Sequence, residues 1–528
     1  MARVPLDKRE KIAKALKAAK ASATNDIVKS TDLSETDHTL LKGSGWLFPI
    51  HAGYSLLTSE DARNADTVHA HLAFGKFLST YLPERMKSYV LSPLTSLEYA
   101  VRGKLPSTVI VENDKSNQTI TGLPGDYCIV FRKTTAVDRM EKGVPIGPET
   151  IKILPTEEAL ACLTKPEVES HPDIIIAALA GADPMTLSEA LVRKKNQSAG
   201  SVLISLLNGL GRETVARRVR DAMENAGLKV ASSERKDTPM KPKAKEQSIS
   251  YFIRGKWHTF SEALRPRASS LKFTPQDIHN LTNKAQDDKV QDAYHSLSIE
   301  KYTVSEELIS AIVNGKWDPE AQKHAIDAMA AKGYLDAFNF VTREAVRDAA
   351  LWKSEKPPIE DSIEILSGLI IGIKRRLFTP MAEAGLISAS DIESYRNHPV
   401  FIRGSNHIPM NYMKVADAMQ GLVTATAEEE NPYIRAALAH FFLGFIHPFG
   451  DGNGRTSRFV MNYLRLVAGL PWLIVPVERR SEYLSGMEQL SMQDYPVPFF
   501  EFLLSLENDH HKLPTVRRPK NGHTTNPG

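Results

Sequence analysis

The run His447-Pro448-Phe449-Gly450-Asp451-Gly452-Asn453-Gly454-Arg455-Thr456-Ser457-Arg458 brings a base, a hard metal ligand, two glycines flanking an asparagine and two arginines into one short stretch. Gly452-Asn453-Gly454 can take backbone conformations that turn successive N–H groups toward one point, an anion nest. The apolar residues that follow, Val460, Met461, Leu464, Val467 and Ala468, recur at helical spacing. The nest therefore opens a helix, whose N-terminus is a natural seat for phosphate. Arg455 and Arg458 stand three apart, share a face and suit one polyphosphate. Asp451 offers the single carboxylate that Mg²⁺ takes beside substrate phosphates. His447 lies across the loop, where a neutral imidazole can accept a hydroxyl proton.

This stretch resembles the signature of the Fic/Doc family, HPFx[D/E]GNGRxxR, and agrees with it at every specified position. The resemblance implies an adenylyltransferase that moves AMP from ATP to the Ser, Thr or Tyr hydroxyl of a protein substrate. By that resemblance His447 is the catalytic base, and Asp451 holds Mg²⁺ against the α- and β-phosphates. Gly452, Asn453 and Gly454 form the anion hole, and Arg455 and Arg458 grip the β- and γ-phosphates. Upstream, Ile434, Ala437, Leu438, Phe441, Phe442 and Phe445 trace one apolar helical face that runs into His447. Pro432 suits its first turn, and Glu428-Glu429-Glu430 complements its dipole. Residues 395–409 resemble the family's flap. The resemblance implies a short β-hairpin there, with Val400, Phe401, Ile402, Arg403 and Gly404 holding the target peptide by strand addition. The similar part covers about residues 290–507.

Ser296-Leu297-Ser298-Ile299-Glu300 resembles the inhibitory motif [S/T]xxxE[G/N] that several Fic proteins carry ahead of the core. The resemblance implies that Glu300 pairs with Arg458 and takes the γ-phosphate's place, a carboxylate competing with a phosphate for one guanidinium. Ser296 lies four residues earlier, on the same helical face. Lys301 departs from the family's Gly or Asn and leaves the helix end less tightly specified. A second string, Thr426 to Asn431, fits the same pattern; it is expected in a loop and is read as coincidence.

At 528 residues the chain has room for two to four domains, and 66 basic against 63 acidic residues leave it nearly neutral. Two cysteines, Cys128 and Cys162, exclude a disulfide framework and zinc spacing, and point to a cytoplasmic setting. Lysines and arginines interrupt the first residues throughout, so no signal peptide is expected. The longest apolar run, Ile174 to Ala182, is too short for a bilayer, so no membrane is expected. A charged, Pro-bearing stretch over 232–247 reads as a linker, and the tail over 509–528 as disordered.

The expected fold is mainly α: a Fic-type helical core with a β-hairpin flap, preceded by a winged-helix domain and an α+β regulator-like domain. The expected units are a winged helix over 1–60, an α+β unit over 61–231, the inhibitory-helix region over 248–320 and the catalytic core over 321–508. In the first, Asp7 to Ser22 forms a basic amphipathic helix, a second short helix starts at Asn25, and Ser34 caps a third. Gly45 to Leu57 alternates as a two-stranded wing with its turn at Ala52-Gly53. Residues 1–29 carry eight Lys/Arg against three Asp/Glu, which suits DNA phosphates; Glu35 and Asp37 oppose that on the third helix. Residues 90–230 resemble AbiEi-type antitoxins or regulators.

Two functional classes follow: an Mg²⁺-dependent, self-restrained adenylyltransferase, and a DNA-binding regulator whose Fic part senses nucleotide or acts as an interaction module; within the enzyme class, removal of AMP or transfer of another phosphate-containing group stays open. An intact His447 favours an enzyme. Tyr483, or Leu484 in the neighbouring register, stands where relatives place an adenine contact. The assembly stays open, a homodimer included.

Overall fold

The computed structural model describes residues 6–58, 67–135, 144–146, 151–231, 240–243, 246–272, 274–315, 325–353 and 358–509. Most of the expected linker and the tail from 510 lie outside these residues. The chain begins with α1 (Leu6–Ser22), β1 (Ile27–Lys29), α2 (Glu35–Gly43), β2 (Leu47–His51) and β3 (Tyr54–Leu57). Ala15 and Ala19 of α1 bury against Leu41 and Leu47, while its lysines stay exposed. The second helix expected from Asn25 is absent. Asn25 and Asp26 adopt φ of 51° and 60°, a left-handed step that Asn and Asp tolerate and that feeds a strand. The Ser34 cap forms as expected, with Ser34 Oγ accepting from Asp37 N at 3.1 Å, and β2 and β3 pair antiparallel about Ala52-Gly53. The antiparallel sheet runs β1-β3-β2.

Next come α3 (Thr67–Arg85), β4 (Tyr89–Leu91), α4 (Pro93–Arg102), β5 (Thr108–Asn113), β6 (Gln118–Leu123) and β7 (Tyr127–Lys133). Their sheet has the order β4-β5-β7-β6, with β5 and β7 parallel. A small pair, β8 (Val144–Ile146) and β9 (Ile151–Ile153), leads into α5 (Thr156–Cys162), α6 (Lys165–Ser170), α7 (Pro172–Gly181), α8 (Pro184–Lys194), α9 (Gln197–Gly209) and α10 (Glu213–Asn225). Val90, Leu97 and Val101 belong to the same contiguous buried cluster as Phe252, Phe441 and Leu464. The front half is thus packed onto the back half through apolar side chains.

The back half is helical: α11 (Ser248–Ala268), α12 (Ile278–Ile299), α13 (Glu306–Val313), α14 (Ala325–Lys353), α15 (Ile359–Glu383), α16 (Ala389–Glu393), α17 (Val415–Glu428), α18 (Pro432–Ile446), α19 (Asn453–Val467), α20 (Arg480–Gln493) and α21 (Val497–Asp509). α18 and α19 are buried on nearly every side, which marks them as the centre of the bundle. Asn431 caps α18 by accepting from Tyr433 N and Ile434 N, with Pro432 in the first turn. The acidic triplet before it does more than face a dipole. Glu429 is buried and accepts from Ser261 Oγ at 2.6 Å, and Glu428 pairs with Arg254 at 3.2 Å, so both anchor α11. Thr426 sits inside α17, its hydroxyl on Leu422 O, and not in a loop.

The flap differs from expectation in its backbone. Residues 395–411 contain no strand; a turn at Arg403-Gly404 is closed by Ser405 N donating to Ile402 O at 3.1 Å. Pro399 and Pro409 have no N–H to pair, and Arg396 takes up the carbonyls of His398 and Met410. Pairing groups are thus missing at 398–399 and at 409–410, on both sides of the turn. Among the described residues no helix is long and apolar enough to cross a membrane.

Candidate active site

The end of α18 and the start of α19 build the site. His447 caps α18 at φ 54° and ψ 60°, its N–H on Leu443 O, so the chain turns sharply there. Gly452 caps α19 at φ 85°, where a Cβ would stand 2.6 Å from Phe378. Only glycine satisfies both demands. Asn453 spans the loop: its Oδ1 accepts from Phe449 N at 2.9 Å and its Nδ2 donates to Phe449 O at 2.8 Å. The side chain is therefore committed to holding the loop, and only its backbone N–H remains for an anion.

His447 Nδ1 donates to Gly444 O at 3.3 Å, which leaves the lone pair on Nε2. Burial pushes the imidazole down to about 4, opposed by the Gly444 bond and assisted by Arg396. A neutral base is the result. The His447 carbonyl accepts from Arg396 Nε at 2.8 Å, and Arg396 N donates to Pro448 O at 2.8 Å. Sequence pattern alone gives this buried arginine no role, because its partners are carbonyls distant in sequence.

The two signature arginines are placed differently. Arg458 lines a cavity of about 550 Å³ together with Glu300, His447, Asn453 and Gly454. Arg455 is fully buried beside it, between the rings of Tyr302 and Phe378, and its Nη2 meets Asp451 Oδ2 at 3.2 Å. Asp451 also accepts from Gly452 N at 2.5 Å, yet its side chain stays 65% exposed and open to a ligand. Lys374, reaching from α15, donates to the Asp451 carbonyl at 3.0 Å across the Phe378 ring.

Glu300 and Ser296 meet Arg458 across more than 150 residues of chain. Arg458 Nε donates to Ser296 Oγ at 2.8 Å, and Nη2 donates to Ser296 O at 3.1 Å and to Glu300 Oε1 at 2.7 Å. The same Glu300 oxygen lies 2.2 Å from where a Cβ on Gly454 would stand. The carboxylate thus occupies the open first turn of α19, the position an anion favours.

Lys301 follows at φ 67°, with Lys301 N on Ser298 O and Tyr302 N on Leu297 O, a Schellman ending normally made by glycine. Lys301→Gly should therefore stabilise the protein by about 0.5–1 kcal/mol, read as a higher denaturant midpoint at unchanged slope. A lower midpoint would mean that the lysine side chain contributes more than its backbone costs.

Of the flap residues, Ile402, Arg403 and Gly404 line the 550 Å³ cavity, whereas Val400 and Phe401 line a smaller one of about 180 Å³ facing the front half. Tyr483 also lines the larger cavity, but its hydroxyl bonds His440 Nε2 at 2.8 Å; Leu484 beside it is 39% exposed.

Residues 365–464 match the Fic/DOC family, so the chain carries a Fic/DOC domain there. A protein adenylyltransferase Fic of Nematostella vectensis is 31% identical over 217 residues, 40% of this chain and 45% of that protein. One of Drosophila mojavensis is 39% identical over 113 residues, 21% of this chain and 22% of that protein. The chain spans less than half the length of the curated relatives it matches. A solved structure of Caenorhabditis elegans Fic-1, residues 134–508, aligns over 68% of this chain and 89% of that one at 18% identity, with a TM-score of 0.35.

Proposed function

We propose that the Fic/DOC domain at residues 365–464 transfers AMP from ATP to a protein hydroxyl, and that Glu300 restrains it. The observation that carries this reading is the convergence in one cavity of a neutral His447, the α19 N-terminus and Arg458, with a carboxylate standing where a phosphate would go. The target hydroxyl oxygen bonds to the α-phosphorus as its bond to the bridging oxygen breaks. Pyrophosphate leaves, and the hydroxyl proton passes to His447 Nε2. The nest and Arg458 neutralise phosphate charge, and catalysis comes mostly from positioning and electrostatics.

Asp451 fits a cation that arrives with the nucleotide. It is an exposed single carboxylate, its loop held by Lys374, and Mg²⁺ commonly takes one carboxylate with several phosphate and water oxygens. The ion would supply charge neutralisation at the phosphates. The test is incubation of the chain and its Glu300→Gly variant with Mg²⁺ and α-labelled ATP, followed by intact mass. A gain of AMP supports transfer. No incorporation by either protein, alone or with cell lysate, counts against it.

A second reading attaches to residues 1–60 and concerns DNA. Lys8, Arg9, Lys11, Lys14, Lys17 and Lys20 of α1 are all exposed, a local concentration of positive charge suited to phosphate contacts. The full chain should retard duplex DNA at low salt and release it as salt rises, and a chain lacking residues 1–60 should not. Equal retardation by both would place the contact elsewhere.

A further inference from the structure

The flap is held from two sides, and the outer side belongs to the front half of the chain. On the inner side Arg396 gathers the carbonyls of His398, Met410 and His447, and Glu488 of α20 accepts from Ser405 Oγ and from Asn406 N. On the outer side His71 of α3 is buried with its ring stacked on Phe401 at 6.0 Å and 19°. His71 Nε2 lies 3.3 Å from Ser405 O, and Nδ1 lies 3.1 Å from Tyr127 OH. A carbonyl only accepts, so in the neutral ring Nε2 carries the proton and Tyr127 donates to Nδ1. Tyr127 thereby selects the tautomer that can hold the flap.

Lys104 adds a second point of attachment by donating from Nζ to Ile408 O. A third is steric: Gly103, at φ 68°, ends α4 so close to the flap that a Cβ there would stand 2.6 Å from Asn411 Cβ. These contacts join residues some 300 positions apart and bracket the flap turn that lines the nucleotide cavity. None of them touches the nest or Arg458.

We infer that the front half is a brace for the flap, with His71, oriented by Tyr127 and helped by Lys104, as the positioning residue that sets target engagement. This rests on the reading of the flap as the target-docking element. It makes the efficiency of transfer depend on the state of a module that does no chemistry.

The experiment is hydrogen exchange on the full chain at the amides of residues 405–407, whose partners are Ile402 O, Glu488 and Ser405 Oγ in turn. His71→Ala with Lys104→Met should speed exchange there about fivefold for each bond lost, with α19 unchanged. His71→Gln, whose amide nitrogen can stand in for Nε2, should restore protection to near the parent level. In the Glu300→Gly background, His71→Ala should slow AMP incorporation at saturating ATP without changing the KM for ATP. Unchanged exchange in the double variant, or equally fast exchange with His71→Gln, would overturn the brace. A Glu300→Gly parent that takes up no AMP would sink the transfer reading while leaving the exchange result standing.

Discussion

Glu300→Gly should raise AMP incorporation at sub-saturating ATP by about 10- to 100-fold. The magnitude follows from what the carboxylate does to Arg458. Its 2.7 Å bond to Nη2 is charge-assisted and half-buried, and such a bond is worth about 1.5–3 kcal/mol. A site open only in the fraction of molecules that have broken the bond has its apparent affinity reduced by that fraction. On the proposed reading, removing the carboxylate frees the guanidinium for the γ-phosphate and clears the first turn of α19. Glu300→Gln keeps the volume and loses the charge, so it should give a smaller gain. Ser296 still holds Nε in both variants, which keeps Arg458 oriented. Steady-state incorporation against ATP concentration checks this, and an apparent KM that does not fall would contradict competition for one guanidinium.

His447→Ala, in the Glu300→Gly background, should cut transfer by about 10²–10⁴-fold, the usual contribution of a general base. Nucleotide binding by calorimetry should hardly change, since the phosphates are assigned to the nest and Arg458. Position 447 has a left-handed backbone, which strains alanine, so His447→Asn is the matched control: Asn tolerates that conformation and supplies no comparable base. The same imidazole sets the pH response. Burial first, with Arg396 adding to it, holds its pKa down at about 4, below the usual 6.5. The neutral, proton-accepting form is then already complete above roughly pH 5. Incorporation should stay flat from pH 6 to 8 and fall only as pH drops through the folded-state pKa. A rate that rises through pH 6.5 would show that the imidazole titrates as an exposed one.

Much of this was legible in the sequence because its cause is local. The helical spacing of Ile434 to Phe445, the Pro432 start and the paired glycines all act within a few residues, where backbone geometry alone relates position to direction. The Glu300–Arg458 pair was legible for another reason: the motif around Ser296 resembles one whose partner is known. The flap forms no hairpin because Arg396 draws off the carbonyls of His398 and Met410 while Pro399 and Pro409 offer no N–H, and the first of these effects exists only in the folded chain. The helix expected at Asn25 gives way to a strand because two left-handed residues stand in succession there, and they leave no mark in hydropathy.

By itself the sequence determined a helical core, the loop that joins α18 to α19 and the residue types set around one anion site. Helical periodicity and glycine's freedom at positive φ suffice for those. The tertiary structure decided which arginine faces the cavity, which tautomer His447 and His71 adopt, and that the front half grips the flap. Each of these turns on burial and on hydrogen-bond partners far apart in the chain, and such partners exist only once the packing has brought them together.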